Sequence, residues 1–187
     1  MQLSLSTSDL TQYIARQISH WFPDGDVNAG QLAPYTGPAL ERAEHCFSRI
    51  TNKHFSRAGQ TYFNHLHSDQ YAMLLYFLGN TIHHLAGDPT LAAKTYLLNK
   101  ALHALDLFYE VQLPAVFYFQ HPVGTVLGRG NYGNYFGVYQ RCTVGGNLDL
   151  VYPTLGTGVM MYGGSAIIGA CTVGDNCALS VGAIVVD

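Results

Sequence analysis

Residues 155–184 read, in sixes, LGTGVM, MYGGSA, IIGACT, VGDNCA and LSVGAI, and Val185 opens a further line. An aliphatic residue or Met stands first in every line: Leu155, Met161, Ile167, Val173, Leu179 and Val185. A small or β-branched residue stands four places on, at Val159, Ser165, Cys171, Cys177 and Ala183. A period of six fits neither the 3.6 of an α-helix nor the 2 of a strand. It is the signature of a β-solenoid, in which each hexapeptide forms one short side of a coil and stacked coils bury a continuous core. An antiparallel sheet would alternate in twos instead.

Upstream, Val144, Val138, Tyr132 and Val126 continue the sixes, while Leu107, Leu113 and Phe119 hold a separate frame. The two frames are one residue out of step around His121-Pro122, which predicts an irregularity there. A second break, Gly145 to Pro153, inserts about half a turn of extra chain before Leu155. Irregularities in a regular scaffold are where sites tend to be built.

Composition changes near residue 106. Most of the 20 glycines lie beyond residue 121, and no Lys follows Lys100. Residues 1–105 carry most of the charge and read as helices. A segment capped by Thr7 or Ser8 runs through Ile18 with Leu10, Ile14 and Ile18 on one face. After a turn-rich loop from Phe22 to Gly37, Pro38 is placed to open a second helix carrying Leu40, Ala43, Phe47 and Ile50. Residues 69–86 form a third, apolar segment capped by Ser68 or Asp69. Gly87 ends it, and Asp88-Pro89 starts a fourth helix that reaches about Leu105.

The formal charge of −3 over 187 residues, without Lys/Arg runs, argues against nucleic acid or an anionic membrane as partner. Cys46, Cys142, Cys171 and Cys177 form no CxxC pair. They read as small apolar fillers, two at buried repeat positions, in a reducing compartment. The N-terminus lacks a basic start followed by an apolar run, and no stretch is long enough to span a membrane. The expectation is a cytoplasmic protein.

Of the nine histidines only His121 lies in the solenoid, beside the frame break and against an aromatic wall (Phe117, Tyr118, Phe119). An imidazole there suits general-base chemistry. Asp106 stands fifteen residues earlier. At roughly eighteen residues per coil this brings it nearly over His121, where a carboxylate could orient the ring; a turn residue is the plainer reading. His65-Leu66-His67 and His83-His84 lack a third ligand at metal spacing. Gly128–Gly133, GRGNYG, contains no GxGxxG and precedes no helix. Arg129 and Arg141, the only basic residues of the solenoid, could each meet a phosphate.

The segments HPVGTVLG, VYQRCTVGGN and YPTLGTGVMMYGGSAIIGACTVGDNCALSVGAIVV resemble the serine acetyltransferases, within the left-handed β-helix (hexapeptide-repeat) acyltransferases, over residues 106–187. Asp88-Pro89 and His103 to Leu105 resemble that family more weakly. The resemblance implies an α+β fold, with an N-terminal helical bundle (1–105) followed by a left-handed parallel β-helix (106–187). It implies an acetyl-CoA-dependent O-acetyltransferase with His121 as general base, Asp106 as its partner and no metal. Acetyl-CoA would lie between two subunits of a homotrimer, or of a dimer of trimers, bordered by Gly145, Gly146, Gly163, Gly164 and Ala183. A small hydroxyl acceptor would meet Gln120, Tyr152 and Asp88. This chain departs from the family in having Gln120 where an Asp precedes the base, and Val151-Tyr152-Pro153 where the family has Arg-His-Pro. Those departures open the acceptor to a sugar, an amino-sugar or another alcohol besides serine, and a non-catalytic trimeric scaffold is the rival from another class. The chain stops at Asp187 inside a repeat, so a natural capping segment is expected to follow.

Overall fold

Asn28 starts a helix that the prolines conceal. In the computed structural model, which describes residues 1–187 throughout, α2 spans Ala29–Phe47 with Pro34 and Pro38 inside it. Each proline removes one i→i−4 donor. Asn28 and Gln31 nonetheless form a full capping box, satisfying two orphan N–H groups at once. The expected start at Pro38 is therefore late. α1 (Thr7–Trp21) is capped by Ser6, whose side chain accepts from Asp9 N, rather than by Thr7 or Ser8. α3 (Ser68–His84) is capped by the His67 ring, not by Ser68 or Asp69, and α4 runs Pro89–His103.

The chain divides into two units, Met1–Asn99 and Lys100–Asp187. In the first, α3 is the central element, buried from Asp69 through Ile82. Its polar groups are paired: Arg42 donates to Thr81 Oγ1 (2.8 Å) and Asn80 Oδ1 (2.7 Å), and Gln70 Nε2 donates to the His54 carbonyl (2.7 Å). A small sheet of order β1 (Gln2–Leu3), β3 (Gln60–Phe63), β2 (Ser56–Arg57) completes the unit. It escaped the sequence reading because strands of two to four residues are too short to show a period.

The second unit is the expected solenoid. Its first face stacks β4 (Phe117–Phe119), β7 (Phe136–Val138), β10 (Met160–Met161) and β13 (Ala178–Leu179). The second stacks β5 (Val126–Leu127), β8 (Thr143–Gly145), β11 (Ala166–Ile168) and β14 (Ile184–Val186). The third stacks β6 (Asn131–Tyr132), β9 (Thr154–Leu155) and β12 (Thr172–Val173), and every pairing among these strands is parallel. Inward columns follow the register: Phe119–Val138–Met161–Leu179, Leu127–Val144–Ile167–Val185 and Tyr132–Leu155–Val173. Apart from Tyr132 and the last coils these side chains are almost wholly buried.

Leu127, not Val126, holds the core position. Val126 is 41% exposed and Leu127 is 1% exposed. The cause lies in the preceding corner. Val138 to Val144 and Met161 to Ile167 each span six residues, whereas Phe119 to Leu127 spans eight. Arg141 N bonds to Val123 O, Gly164 N to Gln140 O and Gly182 N to Gly163 O, so Gly124, Arg141, Gly164 and Gly182 stack in one column. All four have φ between +55° and +76°. His121 and Pro122 are the two residues in excess. The other break is also present: β8 to β9 carries a loop organised by Asn147, whose Oδ1 accepts from Asp149 N and Val151 N, both at 3.1 Å.

Two cysteines differ from expectation. Cys142 is buried, but Cys171 is half-buried and Cys177 is exposed, because Cys177 belongs to the last coil of the sequence; all four are free thiols.

Candidate active site

The two-residue insertion puts His121 at the corner between the first and second faces with φ +49°, a left-handed conformation that costs a non-glycine residue roughly 1–2 kcal/mol. Such strain concentrates where the surrounding structure over-determines the backbone. Pro122 fixes the next φ, Val123 N donates to His121 O at 2.7 Å, and the turn closes when Gly124 N bonds to Ala104 O at 2.9 Å. Buried Thr125 pins it from below: its hydroxyl donates to Tyr139 O (2.7 Å) and accepts from Cys142 N (3.2 Å). Thr125 carries no motif signal; only knowledge of the stacking reveals it.

The imidazole stands in solvent. Its Nε2 lies 2.8 Å from Gln120 Nε2, and the Gln120 Oε1 accepts from the Tyr118 hydroxyl. Gln120 is anchored by its backbone N–H on Val138 O (2.9 Å). Asp106 pairs by backbone with Val126, its N–H on Thr125 O and its carbonyl receiving Leu127 N, both at 2.9 Å. Its carboxylate accepts from Lys100 Nζ at 2.6 Å, a half-exposed ion pair of modest worth.

The glycines named from the sequence fall at two corners. Gly163, Gly164 and Ala183 share the His121 corner, further along the stack. Gly145 and Gly146 stand at the far end of the second face, where Tyr152 is folded back. A Cβ added at Gly146 would come within 2.8 Å of the Tyr152 ring. Gly145 is open, its added Cβ meeting nothing nearer than Ile168 Cδ1 at 3.8 Å, and at Gly164 the nearest atom would be 4.0 Å away. Tyr152 thus belongs to the corner of Arg129, not of His121. The Tyr152 hydroxyl, and then Glu110 at 3.3 Å, hold the Arg129 guanidinium above its ordinary pKa. Asp88 lies in the helical unit, where its Oδ1 accepts from Thr90 N at 2.8 Å as α4 begins. No group of three or more His, Cys, Asp or Glu side chains is placed to hold a metal ion, and no helix is long and apolar enough to cross a membrane.

Helices followed by a three-faced parallel β-helix make a fold that this chain shares with serine acetyltransferases of known structure. Among solved structures the chain is similar to Neisseria gonorrhoeae serine acetyltransferase in complex with serine, at 20% identity and a TM-score of 0.71 over 98% of this chain and 77% of that one. It is also similar to the serine acetyltransferase of Brucella abortus strain S19 (17% identity, TM-score 0.70, 96% and 77% coverage) and to the coenzyme A complex of that enzyme (17%, 0.69, 96% and 74%). At these identities the likeness is one of fold. No protein-family model matches the sequence, and no curated protein matches it.

Proposed function

We propose that this chain is an acetyl-CoA-dependent O-acetyltransferase with His121 as general base. The observation that carries the reading is the strained His121 turn, two residues added to an otherwise regular coil. Its support is the shared fold and the fact that solved structures of that fold include complexes with CoA and with serine. His121 Nε2 takes the proton of an acceptor hydroxyl as its oxygen attacks the thioester carbonyl. Backbone N–H groups at the corner would meet the developing oxyanion. The C–S bond then breaks, the ester leaves, and the imidazolium returns its proton to the CoA thiolate. Asp106 would steady the ring from the Nδ1 side. Open backbone at Gly145 and Gly164 suits close approach of the coenzyme, with Gly146, Gly163 and Ala183 along its border. A homotrimer would place this face against a second subunit.

His121→Ala should lower turnover by roughly 10²–10⁴-fold, measured as CoA thiol release from acetyl-CoA with acceptors that include serine, homoserine and sugars. Near-normal turnover in that variant would overturn the assignment.

A further inference from the structure

The Gln120 side chain is in hydrogen-bonding reach of the His121 nitrogen that the proposed reaction uses, and it is an amide rather than an acid. An amide nitrogen only donates. With Oε1 taken by the Tyr118 hydroxyl, Gln120 turns Nε2 to the imidazole at 2.8 Å. In neutral His121 that arrangement leaves the lone pair on Nε2 and the proton on Nδ1, the tautomer that a base acting through Nε2 requires.

Among the residues that build this corner Arg141 carries the permanent charge, while Asp106, paired with Lys100, lies beneath the turn on the Thr125 and Val126 backbone. In register with Gln120 the next coils present Tyr139 and Tyr162, whose rings lie 5.2 Å apart and tilted by 32°. The amide of Gln140 lies over Gly163, so close that a Cβ there would meet its Nε2 at 2.8 Å. No Asp or Glu occurs at this corner, in 120–124, 139–142, 162–164 or 180–183. These segments thus supply no carboxylate of their own to pair an ammonium group on an acceptor. A ring of C–H groups bearing several hydroxyls matches what is offered: phenol faces for the apolar side and two amides for the hydroxyls.

We propose that Gln120 is the positioning and acceptor-selecting residue of this site, holding the Nε2 lone pair of His121 ready and admitting a neutral polyhydroxy acceptor of the sugar class in place of an amino acid. The inference rests on the reading of His121 as general base. When the acceptor binds, its hydroxyl takes the place of the Gln120 N–H on His121 Nε2, and the released amide is left to bond a neighbouring hydroxyl.

Two measurements on the full chain decide it. Nitrogen-15 NMR of histidine-labelled protein, with the His121 signal assigned from the His121→Asn spectrum, reads the tautomer without turnover. The expected result is protonated Nδ1 in the wild type and a mixture of tautomers in Gln120→Ala; protonated Nε2 in the wild type overturns the proposal. CoA release then compares glucose, galactose, ribose and sorbitol with serine and homoserine. At least tenfold higher kcat/KM for one of the neutral acceptors is expected, with Gln120→Asp moving the ratio at least tenfold toward serine. Serine as the best wild-type acceptor, or a ratio unmoved by Gln120→Asp, refutes the selection. If no acceptor supports His121-dependent release, the transferase reading fails. Titrating the sugars against the His121 signal then judges the site alone, and a signal unmoved by every neutral compound refutes the selection as well.

Discussion

Gly133→Ala tests whether the coils are stacked as tightly as the register implies. A Cβ at residue 133 would lie 2.4 Å from both the carbonyl carbon and oxygen of Gly156 and 2.6 Å from Thr157 N. These are backbone atoms of the next coil and cannot swing aside. Ordinary contact begins near 3.4 Å, so the coils must part by about 1 Å at that corner. Parting stretches the Gly133 N to Leu155 O bond from 2.8 Å to beyond useful length. Overpacking costs about 1–3 kcal/mol and the lost hydrogen bond about 1 kcal/mol, giving a destabilisation of about 2–4 kcal/mol. Denaturant unfolding followed by circular dichroism reads it directly. Gly145→Ala is the internal control, because the same added methyl there meets nothing closer than 3.8 Å. A Gly133→Ala loss below about 0.5 kcal/mol, indistinguishable from the control, would show that this corner does not hold the coils together.

Gly145→Ala should also raise the KM for acetyl-CoA roughly tenfold at unchanged stability, about 1.4 kcal/mol of binding, if the coenzyme approaches the backbone there; an unchanged KM removes Gly145 from the coenzyme border. Thr125→Val strands the Tyr139 carbonyl and the Cys142 N–H beneath the His121 turn, and should cost about 2–4 kcal/mol by chemical denaturation as well as lowering turnover. In the helical unit, burial raises the Tyr71 pKa above the ordinary value near 10, so its stabilising contribution is present below that pH and declines as the pH rises further. Tyr71→Phe should therefore flatten the alkaline edge of the stability–pH profile, and an unchanged edge would place the alkaline sensitivity elsewhere.

The hexapeptide period made the core columns legible because each inward position recurs at a fixed offset whatever its neighbours do. Leu155, Met161 and Ile167 needed no structure to be placed. Val126 was misplaced because a period identifies its phase only between breaks, and the chain gains two residues before Leu127 and loses one after it. The helices suffered from punctuation: Pro34 and Pro38 look like boundaries, while the Asn28–Gln31 capping box that outweighs them is a four-residue signal. At the site, His121 stood out by being alone. Gln120 is its neighbour in sequence, but the chain from Tyr118 through Gln120 to the imidazole depends on rotamers that no spacing encodes. The resemblance puts Tyr152 among the acceptor residues; within one chain its ring lies against Gly146 and its hydroxyl on Arg129, a placement that no period encodes.

The His121-Pro122 insertion also separates scaffold from chemistry in the genetic text. Excising those two codons would restore the six-residue corner that the second and third coils already use, so the solenoid has a ready-made geometry to fall back on. If His121 is the base, one short in-frame deletion would turn a duplicate of this gene into the template for an inert, still stackable subunit.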